Sequence, residues 1–328
     1  MINPAMKLST SLFTEVEQKA TRDGFGDGLV IAGEKNRNVV VLCCDLVEST
    51  RAQAFARKFP ERFIEVGVAE QNMMGIAAGL SFTGKIPFIT SYAVFSPGRN
   101  WDQLRVSVCY SSANVKVIGA HAGISVGPDG ATHQAMEDLA ITRVLPRMTV
   151  IAPADYYEAK KAIVAAAERK GPLYMRFGRE KVPVVTSEET PFEIGKAQVY
   201  KFGKDVAVIA CGPLVYESLI AAKQLEGKIS VMVINCPTIK PIDIKAITEA
   251  ARATGAVVTA EEHQINGGLG SAVAEVLAEH SPVPMQRVGA LDTFGESGKP
   301  EELMQKYHLS SADIVAAVRK VVLRKKGR

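Results

Sequence analysis

The feature that most constrains the fold is an alternation of short apolar runs with helix-forming stretches along almost the whole chain. The apolar runs cover residues 38–44, 87–91, 115–119, 147–151 and 173–177, then 205–210, 228–235, 256–260 and 283–288. Continuous apolar runs of this length are typical of parallel strands buried on both faces, with helices covering the sheet. The alternation therefore predicts an α/β fold of two doubly wound, mostly parallel-sheet domains. We place them at residues 1–186 and 194–328, around the polar linker TSEETP.

Helices are expected between these runs. The patterns predict one over residues 14–35, one that follows Glu70, and one over residues 98–112. Residues 192–202 are interpreted as a short lead-in to the second domain.

Composition limits the classes of function. The length of 328 residues favours two domains, and 47% hydrophobic with 23% charged residues is ordinary for a globular protein. The net charge of +4 is small and the one basic run lies at the C-terminus, which does not favour nucleic-acid binding. No apolar run approaches the ~20 residues of a membrane span, and the N-terminus lacks the apolar core of a secretion signal. Five cysteines without a CxxC spacing indicate buried thiols in a reducing cytoplasm.

The stretch IEVGVAEQNMMGIAAGL places Glu70 where an apolar strand passes into a helix of small residues. Gly75 and Gly79 leave little side chain on that helix, so another backbone or a flat ligand could approach closely. A carboxyl group among apolar neighbours is desolvated, which raises its pKa and suits a proton-handling group. The alternative is that Glu70 only complements the positive end of the helix dipole.

Further polar residues follow the predicted strand ends or lie in loops, where α/β sheets bind their ligands: Arg22, Asp45, Ser49, His121, Asp129, His133 and Arg179. Two arginines, a serine and a histidine in one cleft would suit a sugar phosphate. Taken singly, each residue also has an ordinary interpretation. The histidines could be plain loop residues, Arg22 a surface helix residue, and Asp129 part of a PDG turn.

Three ordered motifs resemble one family: VGVAEQNMMGIAAGL, SYAVFSPGRNWDQL and HAGISVGPDGATHQAMEDLAITRVLP. From about residue 20 to near its end, the chain resembles the pyrimidine-binding and C-terminal domains of transketolases. It resembles in particular the smaller, C-terminal subunit of a split transketolase.

The resemblance implies a site for the pyrimidine end of thiamine diphosphate. Glu70 would hydrogen-bond a nitrogen of the aminopyrimidine ring and favour the tautomer that takes up the proton of the thiazolium carbon. Tyr92 and Phe95 would lie beside the pyrimidine, and Asp45 near the thiazolium. Long single-chain transketolases have a third aromatic residue where this chain has Gly98.

The resemblance also implies reversible transfer of a two-carbon ketol unit between sugar phosphates of the pentose phosphate pathway. Arg22, Ser49, His121 and Arg179 would bind the substrate phosphate. Asp129 and His133 would contact the donor sugar's hydroxyl groups, and the catalytic residues would be Glu70, His133 and His121.

A diphosphate and Mg²⁺ site is not expected in this chain. Gly26-Asp27-Gly28 matches the first part of the family's metal motif, but it lies in a predicted helix without the asparagine that should follow about thirty residues later. We therefore expect no metal ligands here, and expect an N-terminal partner subunit to hold the Mg²⁺, in an assembly that is most simply α2β2. Glu261-Glu262-His263 is interpreted as structural or as a subunit contact.

Other readings remain open at this point. The β subunit of a 2-oxoacid dehydrogenase has similar domains, and deoxyxylulose-5-phosphate synthase shares the AEQ motif. The four phosphate-binding positions favour transketolase over the dehydrogenase, because a 2-oxoacid carries no phosphate. A non-catalytic subunit that kept the fold is a third reading.

Overall fold

The computed structural model describes residues 1–327, which form three β-sheets and the helices that cover them. The strands are β1 (Gln18–Ala20), β2 (Val39–Cys43), β3 (Phe63–Glu65), β4 (Ile86–Tyr92), β5 (Lys116–Ala120), β6 (Thr149–Ile151), β7 (Leu173–Arg176), β8 (Lys181–Pro183), β9 (Gln198–Lys201), β10 (Val206–Ala210), β11 (Val231–Asn235), β12 (Thr238–Lys240), β13 (Val257–Gln264) and β14 (Met285–Ala290). The α-helices are α1 (Thr21–Lys35), α2 (Gln53–Lys58), α3 (Glu70–Phe82), α4 (Trp101–Gln103), α5 (Asp138–Arg143), α6 (Tyr156–Glu168), α7 (Leu214–Gln224), α8 (Ile244–Thr254), α9 (Leu269–His280), α10 (Pro300–Lys306) and α11 (Ser311–Lys326).

Both large sheets are mostly parallel. The first has the order β12-β6-β7-β5-β4-β2-β3, and only β12 runs antiparallel to its neighbour. The second has the order β14-β13-β10-β11-β9, and only β9 is antiparallel. Buried apolar side chains lie on both faces of each sheet, between the sheet and its helices. The predicted α/β class, with two doubly wound and mostly parallel sheets, is confirmed.

Some elements differ from the sequence-based expectation. The first helix begins at Thr21 instead of residue 14, because Gln18–Ala20 pairs antiparallel with Lys181–Pro183. The helix expected over residues 98–112 begins at Trp101 and continues as a π-helix over Leu104–Tyr110. The expected lead-in at residues 192–202 contains the edge strand β9. Strand β12, although it follows β11 in the chain, adds to the edge of the first sheet.

The glycines of Gly26-Asp27-Gly28 are packing residues inside α1. A Cβ on Gly26 would lie 2.8 Å from the carbonyl oxygen of Arg51, and one on Gly28 would lie 2.7 Å from that of Lys160. These glycines therefore let α1 approach its neighbours closely, which is a different role from binding a diphosphate.

All five cysteines are free and buried, as expected. Across residues 1–327, no helix combines the length and the apolarity that crossing a bilayer requires.

A buried polar network joins α6 to the second sheet. The Glu158 carboxylate accepts hydrogen bonds of 2.6 Å each from the Ala154 N–H and from Asn235 Nδ2. Asn235 Nδ2 also lies 2.8 Å from the Tyr200 hydroxyl. Complete burial raises the pKa of Glu158 to about 7. Because each group is removed from water, each depends on its partners to satisfy its hydrogen bonds.

We expect Asn235→Ala to lower the free energy of unfolding by about 1–3 kcal/mol, because it deprives a buried carboxylate of a donor. Urea-induced unfolding measures this quantity. Asn266→Ala, at an exposed position, is the control and should stay within about 0.5 kcal/mol of the parent. Equal effects of the two substitutions would contradict a stabilising role for the network.

Candidate active site

The candidate residues lie where strands of the first sheet end. Strand β4 ends at Tyr92, His121 directly follows β5, and Arg179 follows β7 after two further residues. Because parallel strands present their carboxyl ends at one edge, the topology brings these side chains to the same side of the sheet.

Glu70 is the first residue of α3, and its side chain is 1% exposed. The Ser91 hydroxyl donates to Glu70 Oε1 at 3.2 Å, and Arg99 Nη1 lies 2.6 Å from Oε2. The Asn100 side-chain amide donates to the Glu70 carbonyl oxygen at 3.1 Å. The expectation of a carboxylate with only apolar neighbours was therefore incomplete, because Arg99 supplies a cationic partner.

Arg99 connects Glu70 to the aromatic part of the site. Its guanidinium carbon lies 4.7 Å from the centre of the Phe95 ring, a cation–π distance. A flat N–C–N group thus lies against an aromatic face and donates to a buried carboxylate. The Arg99 side chain is 46% exposed, so it can leave this position without rearrangement of the core.

Four rings form what we call the aromatic cluster: Tyr92, Phe95, His121 and His133. The Tyr92 ring stacks on His121 with centroids 4.1 Å apart and on Phe95 with centroids 6.1 Å apart. His133 meets Tyr92 and Phe95 edge-on at 5.9 and 5.5 Å. The structure thus brings together two residues expected beside the cofactor and two expected beside the substrate.

His121 is buried, and its backbone is in the left-handed region with φ 54°. Among the described residues its Nδ1 has no hydrogen-bond partner. Burial, together with the positive charges of Arg22 and Arg179, lowers the pKa of His121 to about 3. The imidazole is therefore neutral near pH 7, and one ring nitrogen is available to a ligand.

A cationic cleft opens beside the aromatic cluster. Arg22, Arg51 and Arg179 line it together with Lys181 and Lys299. Arg22 Nη1 donates to the Ser49 carbonyl oxygen at 3.1 Å, and its buried Nε is unpartnered within residues 1–327. Burial and the neighbouring Arg51 lower the pKa of the Arg22 guanidinium.

Arg179 is held by the loop that carries the PDG turn. Its Nη1 donates to the Val126 carbonyl oxygen at 3.0 Å and lies 3.5 Å from Asp129 Oδ1. The guanidinium keeps further N–H groups that an anion could accept from.

Asp23, Glu180 and Glu301 also line the cleft. Asp23 pairs with Arg51 at 2.7 Å, and Glu180 lies 3.6 Å from Arg179 Nε. Because the cationic side chains outnumber these carboxylates, the cleft is suited to a phosphate or another oxyanion.

Asp45 is separate from this arrangement. It is exposed, and its backbone N–H donates to Glu65 at 2.7 Å. No contact found in the described part of the chain joins its side chain to the aromatic cluster, so its role stays a prediction. Sequence reasoning also missed Arg51, Arg99 and Lys299, since a single arginine or lysine carries no recognisable spacing.

We expect His121 to make folding sensitive to acid. Its pKa is about 3 in the folded chain but ~6.5 when unfolded, so between these values the unfolded state binds more protons and stability falls as the pH falls. Between pH 7 and pH 5, protonation of His121 in the unfolded state should lower the free energy of unfolding by about 2 kcal/mol. The free energy of unfolding, measured at pH 7 and at pH 5, should therefore fall less for His121→Asn than for the parent. The exposed His280→Asn is the control, and identical slopes for His121→Asn and the parent would refute the assignment.

Each half of the chain matches the model of a known domain family. Residues 17–185 match the model of the transketolase pyrimidine-binding domain. Residues 195–314 match that of the transketolase C-terminal domain.

Individual relatives agree with this assignment. A putative transketolase C-terminal section from Methanocaldococcus jannaschii is 46% identical over 92% of this chain and 95% of its own length. A 6-deoxy-6-sulfo-D-fructose transketolase subunit from Clostridium sp. (strain MSTE9) is 42% identical over 96% of this chain and 98% of its own length. A solved structure, described as a split-gene transketolase in an inactive β4 tetramer, superposes with a TM-score of 0.88 at 50% identity, covering 93% of this chain and 99% of that one. The chain therefore belongs to the transketolase family and carries the family's pyrimidine-binding and C-terminal domains.

Proposed function

We propose that this chain is the C-terminal subunit of a split, thiamine-diphosphate-dependent transketolase that transfers a two-carbon ketol unit from a ketose phosphate to an aldose phosphate. The observation that carries the proposal is the buried Glu70 carboxylate beside the aromatic cluster and the cationic cleft. These parts supply a proton-sharing acid, a flat binding surface and an anion site, each of which this reaction uses.

The residues around Glu70 fit the pyrimidine end of the cofactor. Arg99 places a planar N–C–N group over Phe95 and within 2.6 Å of the Glu70 carboxylate. An aminopyrimidine presents a similar planar edge of ring nitrogen and amino group. On this proposal Arg99 withdraws towards solvent when the cofactor binds, and Phe95 and Glu70 keep their positions.

When bound, the cofactor supplies the nucleophilic carbon that breaks and forms the carbon–carbon bond of the sugar. Through one carboxyl oxygen, Glu70 can share a hydrogen bond with a nitrogen of the pyrimidine ring. Ser91 donates to the other oxygen and so fixes the orientation of the carboxyl group. Burial keeps water away from this contact, which strengthens it.

Two histidines would contact the sugar substrate. His121 is neutral at working pH because burial and two arginines lower its pKa to about 3, so it acts as a hydrogen-bonding group. His133, whose Nδ1 lies 2.9 Å from the Thr132 hydroxyl, is the proposed base at a substrate hydroxyl. Asp129, next to Arg179, would accept from another hydroxyl group of the sugar.

The terminal anion of the sugar would bind Arg22, Ser49, His121 and Arg179. Guanidinium groups bind phosphate with two parallel hydrogen bonds, and the cleft carries three further cations, Arg51, Lys181 and Lys299. The relative named for 6-deoxy-6-sulfo-D-fructose makes a sulfonated ketose the second candidate substrate, since a sulfonate is also a tetrahedral oxyanion. If the substrate is a sugar phosphate, the chain would act in the pentose phosphate pathway, in the cytoplasm.

A partner subunit would supply the diphosphate and Mg²⁺ site, in an α2β2 assembly. Residues 1–327 include no group of three or more His, Cys, Asp or Glu placed to hold a metal. A Cβ on Gly75 or Gly79 would meet open space, and Val68 and Phe82 nearby are exposed. This surface beside Glu70 supports docking of another chain against α3.

Reconstitution tests the proposal. The chain is purified alone and mixed with an N-terminal transketolase subunit from the same cell, with thiamine diphosphate and Mg²⁺. Transfer from xylulose 5-phosphate to ribose 5-phosphate is expected only in the mixture, and a sulfonated ketose is assayed in parallel. Glu70→Ala should abolish transfer with the fold intact, whereas Glu61→Ala, at an exposed carboxylate, should not. Full activity of the chain alone, or 2-oxoacid decarboxylation in place of transfer, would overturn the proposal.

Arg179→Ala in the reconstituted complex is expected to raise KM for the phosphorylated ketose about 10- to 100-fold, the effect of losing one charge-assisted hydrogen bond. The turnover number should change less. Arg319→Ala, which removes an arginine at an exposed position of α11, is the control and should leave KM unchanged. An unchanged KM for Arg179→Ala would remove Arg179 from the phosphate site.

A further inference from the structure

The loop between β5 and α5 carries Asp129 and His133, yet its supports come largely from the second domain. The Ser125 backbone N–H donates to the Glu262 carboxylate at 2.7 Å. Gln134 Nε2 donates to the carbonyl oxygens of Ile124, at 3.1 Å, and of Glu296, at 2.9 Å. Both Glu262 and Glu296 belong to the part of the chain that matches the C-terminal domain, residues 195–314.

The loop also lies against the second domain without space between them. A Cβ on Gly123 would lie 2.3 Å from Glu262 Oε1, and one on Gly130 would lie 2.5 Å from Ser297 Oγ. Both glycines have positive φ, at 92° and 76°. A larger residue at either position would collide with the second domain as well as strain the backbone.

Glu262 is the central support. It lies in β13 and is 4% exposed. Its backbone carbonyl accepts from Arg176 Nη1 at 2.8 Å, and Nη2 of the same arginine donates to Ala135 at 3.0 Å. Glu262 therefore holds the start of the loop through its side chain, and Arg176 holds its end.

The position of the loop decides where the substrate-facing groups lie. Val126 accepts from Arg179 at 3.0 Å, and Asp129 lies 3.5 Å from the same guanidinium. His133 is fixed through its backbone N–H, which donates to Gly130 at 2.9 Å. Displacement of the loop at Ser125 would therefore move Asp129, His133 and Arg179 together.

We propose that Glu262, from the C-terminal domain, is a positioning residue for residues 121–137, the loop between β5 and α5 that we call the substrate loop. Through the Ser125 N–H it sets the placement of Asp129, His133 and Arg179, and this is the contribution of the C-terminal domain to the reaction. The kinetic part of this inference rests on the proposed function, whereas the structural part does not.

Glu261 provides a matched control. It is the adjacent residue, it is equally buried, and its carboxylate also accepts backbone N–H groups, from Leu269 and Gly270 at 2.7 Å each. Those bonds stay inside the second domain, at the start of α9. A general loss of stability should follow from changing either glutamate, but a change in the loop should follow only from changing Glu262.

The first measurement is hydrogen exchange of the backbone amides of residues 124–130 in the full chain. Glu262→Ala should speed exchange about 10- to 100-fold, the effect of losing a hydrogen bond to a charged group. Glu262→Gln, whose amide oxygen can still accept from Ser125, should restore most of the protection. Glu261→Ala should leave the loop unchanged. Equal exchange in the Glu262→Ala and Glu261→Ala chains would overturn the inference, whether or not the reconstituted complex transfers a ketol unit.

The second measurement is steady-state kinetics of the complex reconstituted with the N-terminal subunit. Glu262→Ala should raise KM for the donor ketose at least about tenfold and leave the affinity for thiamine diphosphate unchanged, with partial recovery in Glu262→Gln. Parallel losses of cofactor and sugar binding in both Glu262 and Glu261 variants would reduce Glu262 to a structural residue. Inactivity of the unsubstituted complex would refute the proposed function, and the exchange experiment would still decide the structural part.

Discussion

The structure depends on one buried guanidinium. Arg176, the last residue of β7, lies 3.0 Å from Asp138 through Nε and donates to the carbonyl oxygens of Glu262 and Ala135. The Tyr174 hydroxyl completes the network by donating to Asp138 at 2.6 Å. A buried cation that loses a partner is strongly destabilising, so these groups must all be in place together. The first sheet, the loop that follows it and the second domain are thereby fixed relative to one another.

The site next to this network combines two electrostatic environments. Glu70 is an acid removed from water at the N-terminus of α3, close to an aromatic surface. A short distance along the sheet edge, Arg22 and Arg179 help to keep His121 uncharged and leave donors free for an anion. Proton sharing requires a dry environment, whereas a sugar phosphate must enter from solvent. The parallel sheet satisfies both requirements, because its carboxyl edge extends from the buried helix to the open cleft.

Much of the fold could be predicted because its signals are local. Apolar runs such as those of β2 and β10 are recognisable without knowledge of their partners. The elements that were missed pair over long distances with few residues: β1 with β8, and β12 with β6. Three-residue strands carry too little pattern to be distinguished from loop. The contacts that hold the site residues could not be predicted for the same reason. Arg99 and its partner Glu70 are 29 residues apart in the sequence, and Glu262 and Ser125 are 137 residues apart.

The sequence by itself determined the α/β class, the two mostly parallel sheets and the membership of a family whose motifs surround Glu70, His121 and His133. It could do so because strand burial and short motifs are properties of neighbouring residues. Only the tertiary structure decided that Arg99 pairs with Glu70, that His121 stacks on Tyr92 while His133 meets Phe95 edge-on, and that the C-terminal domain supports the substrate loop. Those contacts depend on the packing of distant segments, because each polar group buried by that packing must find its partner wherever the folded chain places one.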